Sequence, residues 1–480
     1  MSTEAGLPAE RLTRVVDAPA QGIVHLGLGA FFRAHGAIYT AEAVAASGGA
    51  WGITGVSLQS PRVRDALAPQ GGTYIALELG PGGEIARRVD VVRGVLVARE
   101  DPEAVLDLMA DPATRIVSLT VTEKGYCHEP ATGALNLAHP DIQHDIANPM
   151  PVSAPGFIVR ALAMRRAAGL APFTVLTCDN LPNNGQVAKG VVLALAGEID
   201  PGLAAWIAAE GRFPSTMVDR IVPATKPEDI AHIAELTGLQ DDAPVIHEPF
   251  RQWVIEDDFV DGRPDWGAVG AELVADVTPY EHMKLRMLNG THSALAYLGY
   301  LASHETIADC MGDPVFADFV EYLWRAEIIP SLAPPPGVSL AGYAEALRAR
   351  FANPAIRHRP WQIAMDGSQK LPQRLLGTLA DGLAAGRAMP GLMLAVAGWM
   401  RYVGGVDELG RAIDVRDPLA ARLKALSDGA AGLDGKVAAL LSVREVFPEP
   451  LAAQLQAPVS AAYAALYTEG ARAAVFDITP

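Results

Sequence analysis

The sequence predicts a two-part α/β chain: an N-terminal domain with a parallel sheet covered on both faces, then a mostly α-helical domain. Three observations carry this. Short, nearly uncharged β-rich runs alternate with helical stretches through the first half, the pattern of strands buried on both faces by crossover helices. From Pro279 onward Ala and Leu dominate, helical periodicity prevails and strand signals are scarce. The chain has 480 residues, 50% apolar and 19% charged, enough for two large cores and too apolar for wholesale disorder. The expected domains are 1–277 and 278–480, with the ligand site in the crevice between them. The run Pro334-Pro335-Pro336-Gly337 reads as a loop inside the second domain rather than as the linker.

Along the first domain, Ile23–Leu28, Gly52–Leu58, Arg115–Thr122 and Thr174–Cys178 read as strands. His25-Leu26-Gly27-Leu28-Gly29-Ala30-Phe31-Phe32-Arg33-Ala34-His35 spans the end of the first strand and the opening of a helix. In a dinucleotide-binding fold this is where small residues let the backbone approach a pyrophosphate. The third glycine of a GxGxxG pattern is missing, because Phe32 stands there; the motif also fits an ordinary strand–helix turn. The second strand runs into Gln59-Ser60-Pro61-Arg62, with no carboxylate to hold an adenosine ribose. Strict NAD preference is therefore not supported: Arg62 or Arg64 either accepts a 2′-phosphate or is a solvated charge.

Two more strand ends carry polar residues where open α/β sheets bind ligands. Thr120-Val121-Thr122-Glu123-Lys124-Gly125-Tyr126 follows the third strand, and Thr177-Cys178-Asp179-Asn180-Leu181-Pro182-Asn183-Asn184-Gly185 follows the fourth. Asn180 offers an amide donor, whereas Asn184-Gly185 reads as a turn. Met217-Val218-Asp219-Arg220-Ile221 puts two charges in an apolar run, either an internal Asp–Arg pair or an Asp for a substrate hydroxyl. Gln252–Ile255 reads as a further strand and Asp261–Asp265 as a turn.

The second domain opens on Pro279 and Glu281-His282-Met283-Lys284-Leu285-Arg286-Met287-Leu288-Asn289-Gly290-Thr291-His292. At about 100° per residue, Asn289 lies about 140° and His292 about 80° from Lys284, on one broad helix face. An amine, an amide and an imidazole so placed can move a proton and hold an alkoxide-like oxygen. The same three residues also fit a surface charge, a helix irregularity and a core histidine. Glu281 sits one turn before Lys284, close enough to steer its proton. Tyr280 and Lys284 spell the YxxxK pair of short-chain dehydrogenases, but 255 residues beyond Gly29 and with Tyr280 ahead of the helix body, unlike that single-domain arrangement.

Charge and composition exclude other classes. Lys plus Arg is 38 against 55 Asp plus Glu, a net −17, a poor match to nucleic acid or an anionic membrane. No apolar run approaches the roughly 18 residues of a membrane helix, and the first residues lack a secretory pattern. Cys127, Cys178 and Cys310 form neither a disulfide framework nor a sequence-local zinc set. The expected setting is the cytoplasm, the expected partner a small molecule, and the expected state a monomer or weak homo-oligomer.

Taken together, GLGAFFRAH, TVTEKGY, TCDNLPNNG, MVDRIVP, EPFRQWVIED, KLRMLNGTHSALAYLGYL and DGSQKLPQRLL resemble the polyol-specific long-chain dehydrogenase family. That family contains mannitol 2-dehydrogenase and fructuronate reductase, and the resemblance runs from about Ile23 into the C-terminal region. It implies a Rossmann-like N-terminal domain, a mostly helical C-terminal domain, NAD as cofactor with NADP open, and no metal. It implies that Lys284 is the general acid/base, that Asn180 and Asn289 hold the reacting oxygen, that His292 and Asp219 face substrate hydroxyls, and that Glu281 lies beside the lysine's proton path. The cofactor side is expected at Gly27, Gly29, Phe31 and Arg33, with Glu123 of the TVTEKGY segment. Phe32 stands where the family usually has His.

The tracts SLTVTEKGYC, PFRQWVIED, RHRPWQIAMDGSQKLPQRLL and AGWMRYVGGVDELG are most similar to the fructuronate-reducing members. The expected reaction is fructuronate plus NADH to mannonate. An uncharged polyol such as mannitol is the alternative substrate, and a catalytically silent nucleotide or sugar-acid sensor is the alternative class. A sugar acid's carboxylate calls for a cation. Arg357, Arg359, Lys370 and Arg374 lie within 18 residues; Lys370 and Arg374 are the expected substrate contacts, with Pro372 between them interrupting an ordinary helix.

Overall fold

The computed structural model describes residues 9–129 and 132–479 and divides into two compact units, Met1–Thr278 and Pro279–Pro480. In chain order, the strands of three or more residues in the first unit are β1 (Gln21–Leu26), β2 (Gly52–Ser57), β3 (Tyr74–Gly80), β4 (Gly83–Val89), β5 (Val92–Val97), β6 (Ile116–Leu119), β7 (Thr174–Thr177), β8 (Thr216–Asp219), β9 (Val245–His247), β10 (Gln252–Glu256) and β11 (Glu272–Val274). Five form an all-parallel sheet in the order β5-β2-β1-β6-β7. The chain builds outward from β1 in one direction and then in the other, so the order reverses between β1 and β6. Open α/β sheets bind ligands at that switch point. Two small mixed sheets, β9-β3-β4 and β11-β10-β8, and a two-residue parallel pair, Glu10–Arg11 with Leu239–Gln240, complete the unit.

The helices that position the site are α1 (Ala30–Ala34) and α2 (Gly36–Ser47) after β1, α3 (Pro102–Ala110) after β5, α4 (Thr122–Gly125), α5 (Pro140–Ala147) and α6 (Ala154–Ala167) after β6, and α7 (Asn184–Ile199) after β7. Val24, Leu26, Val56, Val117, Leu119 and Val175 share a core with residues of α3, α6 and α7. Ile23, Ile53, Ile116 and Leu176 share another with Ala37 and Ile38 of α2 and Trp253 of β10. Side chains alternate across a strand. Strands β1, β2, β6 and β7 are largely buried on both faces, which is why they carry no Asp, Glu, Lys or Arg, whereas edge strand β5 is only partly covered and carries exposed Arg93.

Three expectations are corrected. The strand expected over Arg115–Thr122 covers only Ile116–Leu119, because Thr122 already opens α4. The first strand ends at Leu26, not Leu28, because Gly27 turns to φ +89°. Asn184-Gly185 is not a turn but the start of α7, preceded by Asn183 at φ +51°. Asn184 is buried and ties two strand ends together. Its Nδ2 donates to the carbonyls of Asp179 (3.0 Å) and Thr216 (2.8 Å), and its Oδ1 accepts from the Thr216 amide (2.9 Å).

The second unit is helical; among the described residues its one ladder contact is the isolated bridge Val406–Ala412. Helix α8 (Thr278–Met283) continues through a π-helical stretch, Lys284–Gly290, into α9 (Thr291–Leu301). Tyr280 lies inside α8, not ahead of the helix. Further π stretches occur at Leu323–Ile328 and at Pro372–Leu376, the latter joining α10 (Gly367–Leu371) to α11 (Gly377–Ala384). In an α-helix Pro372 would clash with the carbonyl four residues back. The wider i→i+5 turn accommodates it, so the helix runs on and the expected interruption is absent.

π-Helix accounts for well under about 1% of residues in globular proteins, yet the three stretches meet. Trp324 Nε1 donates to the Met287 carbonyl at 3.0 Å. A Cβ at Gly290 would stand 2.7 Å from the Arg374 carbonyl, so only glycine allows that approach. Buried α12 (Pro390–Val403) packs on α9 and on α13 (Glu449–Thr468). The Glu327 carboxylate caps α12 by accepting from the Gly391 and Leu392 amides (2.7 and 2.8 Å). Among the described residues no helix is long and apolar enough to cross a membrane.

Candidate active site

In the first unit the glycine turn is pinned from below by His25, fully buried in β1. Its Nδ1 lies 2.8 Å from Ser118 Oγ and its Nε2 2.8 Å from Thr120 Oγ1, which donates to the Gly27 carbonyl at 2.7 Å. Since the Thr120 proton is spent on Gly27, Nε2 carries the ring proton and Nδ1 accepts from Ser118. Burial drives the ring pKa down to about 3, so His25 is a neutral strut between β1 and β6. Phe32 stacks on it with ring centroids 3.4 Å apart. The place expected for a third glycine is therefore filled by a ring, and Gly36 supplies the room, since a Cβ there would lie 2.5 Å from that ring.

The two remaining glycines differ. A Cβ on Gly27 would lie 2.2 Å from the Thr120 carbonyl oxygen; one on Gly29 would meet nothing nearer than 3.8 Å. Gly29 is exposed, with φ −83°. Nothing in the fold itself asks for glycine there, whereas a pyrophosphate against the backbone does. On this ground the turn fits a dinucleotide.

The other expected cofactor residues divide. Phe31 is half-buried and stacked on His35 (5.2 Å). Glu123 is exposed on α4. Arg33 is a correction: it turns into the core, donates to the Ala243 carbonyl and lies over the Tyr74 ring at 5.3 Å, while Tyr74 Oη donates to the Arg33 carbonyl at 2.6 Å. It braces the turn rather than lining it. Arg64 is paired with Glu100 (2.5 Å) and Asp65 (2.7 Å), which leaves exposed Arg62 as the uncommitted one of the two arginines considered for a 2′-phosphate.

Asp179 organises the ends of β6 and β7, a role the sequence reading missed. Its carboxylate accepts from the Val121 amide (3.0 Å), the Thr122 amide (2.9 Å) and Tyr126 Oη (2.8 Å). Burial pushes its pKa up, against those donors. The clip joins the segment carrying Glu123 to the one carrying Asn180, an exposed residue just past β7. An acid ending an apolar strand was the available signal. Asp219 is buried at the end of β8. The internal Asp219–Arg220 pair considered above gives way to other partners for the arginine: Arg220 donates to the carbonyls of Ala34 (2.7 Å) and Glu248 (3.1 Å) and faces Glu78 at 3.7 Å.

In the second unit Lys284, Asn289 and His292 are all buried and Glu281 is half-buried. The α-helical angles do not hold between Lys284 and Gly290. In a π turn each carbonyl pairs with the amide five residues on, so positions 284 and 289 stand one turn apart rather than about 140° around an α-helix. Such π-helical stretches occur frequently at functional sites.

His292 stacks on Phe351 (4.3 Å) and meets His358 edge-on (5.4 Å). Burial first, then His358, Arg350 and Arg374, pushes His292 well below the ordinary range. Burial, Arg374 and Lys370 take His358 down to about 4. Lys370 Nζ donates to the Met365 carbonyl (2.6 Å) and Arg374 Nη1 to Ser293 Oγ (3.3 Å). Of the four expected cations, Lys370 and Arg374 belong to this cluster. Arg357 and Arg359 stay exposed, the former 3.9 Å from Glu305. Arg350 and His358 join without having been expected, because in sequence each looks like a surface polar residue.

A doubly wound parallel sheet with a glycine turn at its switch point, joined to a helical unit bearing a buried lysine, amide and imidazole, is the build of a dehydrogenase. The family models agree: a mannitol dehydrogenase Rossmann domain matches residues 21–268 and a mannitol dehydrogenase C-terminal domain matches residues 276–467. The chain belongs to the mannitol dehydrogenase family of oxidoreductases. It is 50% identical over 460 residues to D-mannonate oxidoreductase of Escherichia coli (strain K12), covering 94% of each chain. It is 41% identical over 458 residues to mannitol 2-dehydrogenase of Cereibacter sphaeroides, covering 94% and 95%. The solved ternary complex of Pseudomonas fluorescens mannitol 2-dehydrogenase with NAD and D-mannitol superposes with a TM-score of 0.87 at 38% identity, over 98% of this chain and 97% of that one.

Proposed function

We propose that the protein reduces a keto sugar acid, fructuronate, to mannonate with a nicotinamide cofactor, NADH, using a lysine acid/base and no catalytic metal. The feature favouring an acid over a neutral polyol is the Arg350, Lys370 and Arg374 cluster around His292 and His358. It concentrates positive charge in a chain of net charge −17. A carboxylate repays such a cluster with charge-assisted hydrogen bonds; mannitol has nothing to offer it. The identity to D-mannonate oxidoreductase supports the same choice. A neutral polyol is the second reading, supported by the likeness to the complex with D-mannitol.

The nicotinamide cofactor, when bound, supplies hydride to the ketone carbon or takes it from the alcohol. The chain's own groups handle the oxygen. In reduction the Asn180 and Asn289 carboxamides donate to it as negative charge develops, and protonated Lys284 delivers the proton that completes the hydroxyl. In oxidation the neutral amine takes that proton back, with Glu281 beside its path to solvent. His292, held neutral, and Asp219 bind neighbouring hydroxyls. Lys370 and Arg374 anchor the carboxylate, and the Gly27–Gly29 turn carries the pyrophosphate. The test is turnover on fructuronate, tagaturonate, fructose and mannitol with NAD(H) and NADP(H). Highest kcat/KM on fructuronate supports the reading; preference for mannitol or fructose transfers it to the polyol reading; NADH binding without turnover on any of them refutes both.

A further inference from the structure

Away from the residues assigned above, the first unit gathers Cys127, His139 and Asp141. The Cys127 sulfur, a His139 ring nitrogen and an Asp141 carboxylate oxygen all lie within 4.8 Å of one another. Among the described residues no other set of three Cys, His, Asp or Glu side chains closes to that distance. The backbone holds them there. Cys127 sits at φ +51°, uncommon for a residue with a Cβ. Its carbonyl accepts from the Asn136 amide (2.9 Å), and the Asn136 carbonyl accepts from the His139 amide (3.0 Å). Asp141 follows in the first turn of α5. Cys127 is buried, while His139 and Asp141 are half-buried, so an ion can enter from their side.

The donor set selects the metal. A thiolate, an imidazole and a carboxylate suit zinc-type cations, with one position left for water; calcium and magnesium take oxygen shells. The surroundings are negative. Burial, then Asp141 and Asp145, push the Cys127 thiol up to about 12; a bound dication reverses that bias by expelling the proton. Asp145 sets the field without being a ligand, because it already accepts from the Val152 and Ser153 amides and Ser153 Oγ. His139 Nδ1 accepts from the Asp141 amide at 3.2 Å.

We propose that Cys127, His139 and Asp141 form a non-catalytic site for a zinc-type divalent cation. Binding exchanges one proton: the Cys127 S–H bond breaks, a metal–sulfur bond forms, and the proton leaves to solvent with no change of oxidation state. The proposal does not rest on the sugar-acid reading. The ion braces the segment after β6, because Tyr126, next to Cys127, donates to Asp179, the clip that also holds Val121 and Thr122.

The test adds Co²⁺ alone to the reduced, nucleotide-free full chain in chelator-free buffer. Expected are one ion per chain, a thiolate-to-cobalt charge-transfer band, proton release, and displacement by Zn²⁺. Cys127→Ala abolishes the band. Asp141→Asn and His139→Gln each weaken binding at least about tenfold, since outer-shell partners alone are worth about that much; these two carry the test should Cys127→Ala fail to fold. No saturable band in the wild type, a band that survives loss of Cys127, or wild-type affinity in Asp141→Asn overturns the proposal.

Discussion

A methyl group added at Gly29 separates what the fold needs from what the cofactor needs. Gly29 has φ −83° and ψ −176°, open to any residue, and an added Cβ meets nothing within 3.8 Å. Gly29→Ala should therefore fold and gain roughly 0.4–1 kcal/mol, because alanine restricts the unfolded chain. If the pyrophosphate lies against this backbone, the methyl overpacks the contact at a cost of roughly 1–3 kcal/mol. At about 1.4 kcal/mol per tenfold, that is about a 5- to 150-fold weaker Kd for NADH. Gly27→Ala is the contrasting control. Its φ is +89° and its Cβ would overlap the Thr120 carbonyl at 2.2 Å, a backbone atom that cannot swing aside. The conformation costs about 1–2 kcal/mol and the overlap roughly 1–3 more, so this variant loses stability first. NADH fluorescence titration and thermal unfolding read the two effects separately. NADH binding by Gly29→Ala at wild-type affinity would remove the turn as the pyrophosphate site.

Other outcomes follow from the same geometry. Lys284→Ala should lower kcat by about 10²- to 10⁴-fold, the usual worth of a general acid, with NADH binding nearly unchanged; wild-type turnover sinks the assignment. Arg374→Ala should raise KM for fructuronate about 10- to 100-fold, as the loss of a charge-assisted bond of about 1.5–3 kcal/mol implies, and leave fructose unaffected; an equal effect on both substrates argues against a carboxylate anchor. Acid should destabilise the fold. Burial holds His25, His35 and His247 at about 3, His358 at about 4 and His292 well below its ordinary value. Below about pH 6.5 the unfolded chain takes up protons these rings refuse, so each removes about 1.4 kcal/mol of stability per pH unit down to its folded value. Asp179, Asp241 and Glu327, raised by burial, act in the opposite sense, so the slope falls short of the five-histidine maximum. An unfolding temperature that stays flat from pH 7 to 5 contradicts this.

Four of the five parallel-sheet strands were legible because each is a short, nearly charge-free run, and a strand buried on both faces admits little else. Edge strand β5 was not, because it is only partly covered and carries exposed Arg93. Lys284, Asn289 and His292 were legible as a set because they share one segment. Their spacing was not, since an α-helical angle was assumed where the chain winds as a π-helix. That winding rests on distant contacts: the Trp324 indole on the Met287 carbonyl, and Gly290 against the Arg374 backbone. Arg33 was misread for a related reason. Its place beside the glycine turn suggests a phosphate contact, but its partners, Ala243 and Tyr74, lie far along the chain.

The sequence by itself determined the alternation of buried strands and helices, the glycine turn after β1, and the segment carrying lysine, amide and imidazole. These are local properties, set by periodicity and by residue types acting within a few positions of one another. Only the tertiary structure decided which cations surround His292, that Asp179 clips two strand ends, and that Cys127 meets His139 and Asp141. Each depends on residues apart in the chain sharing one low-dielectric neighbourhood, where burial and facing charges, rather than spacing, decide what a side chain does.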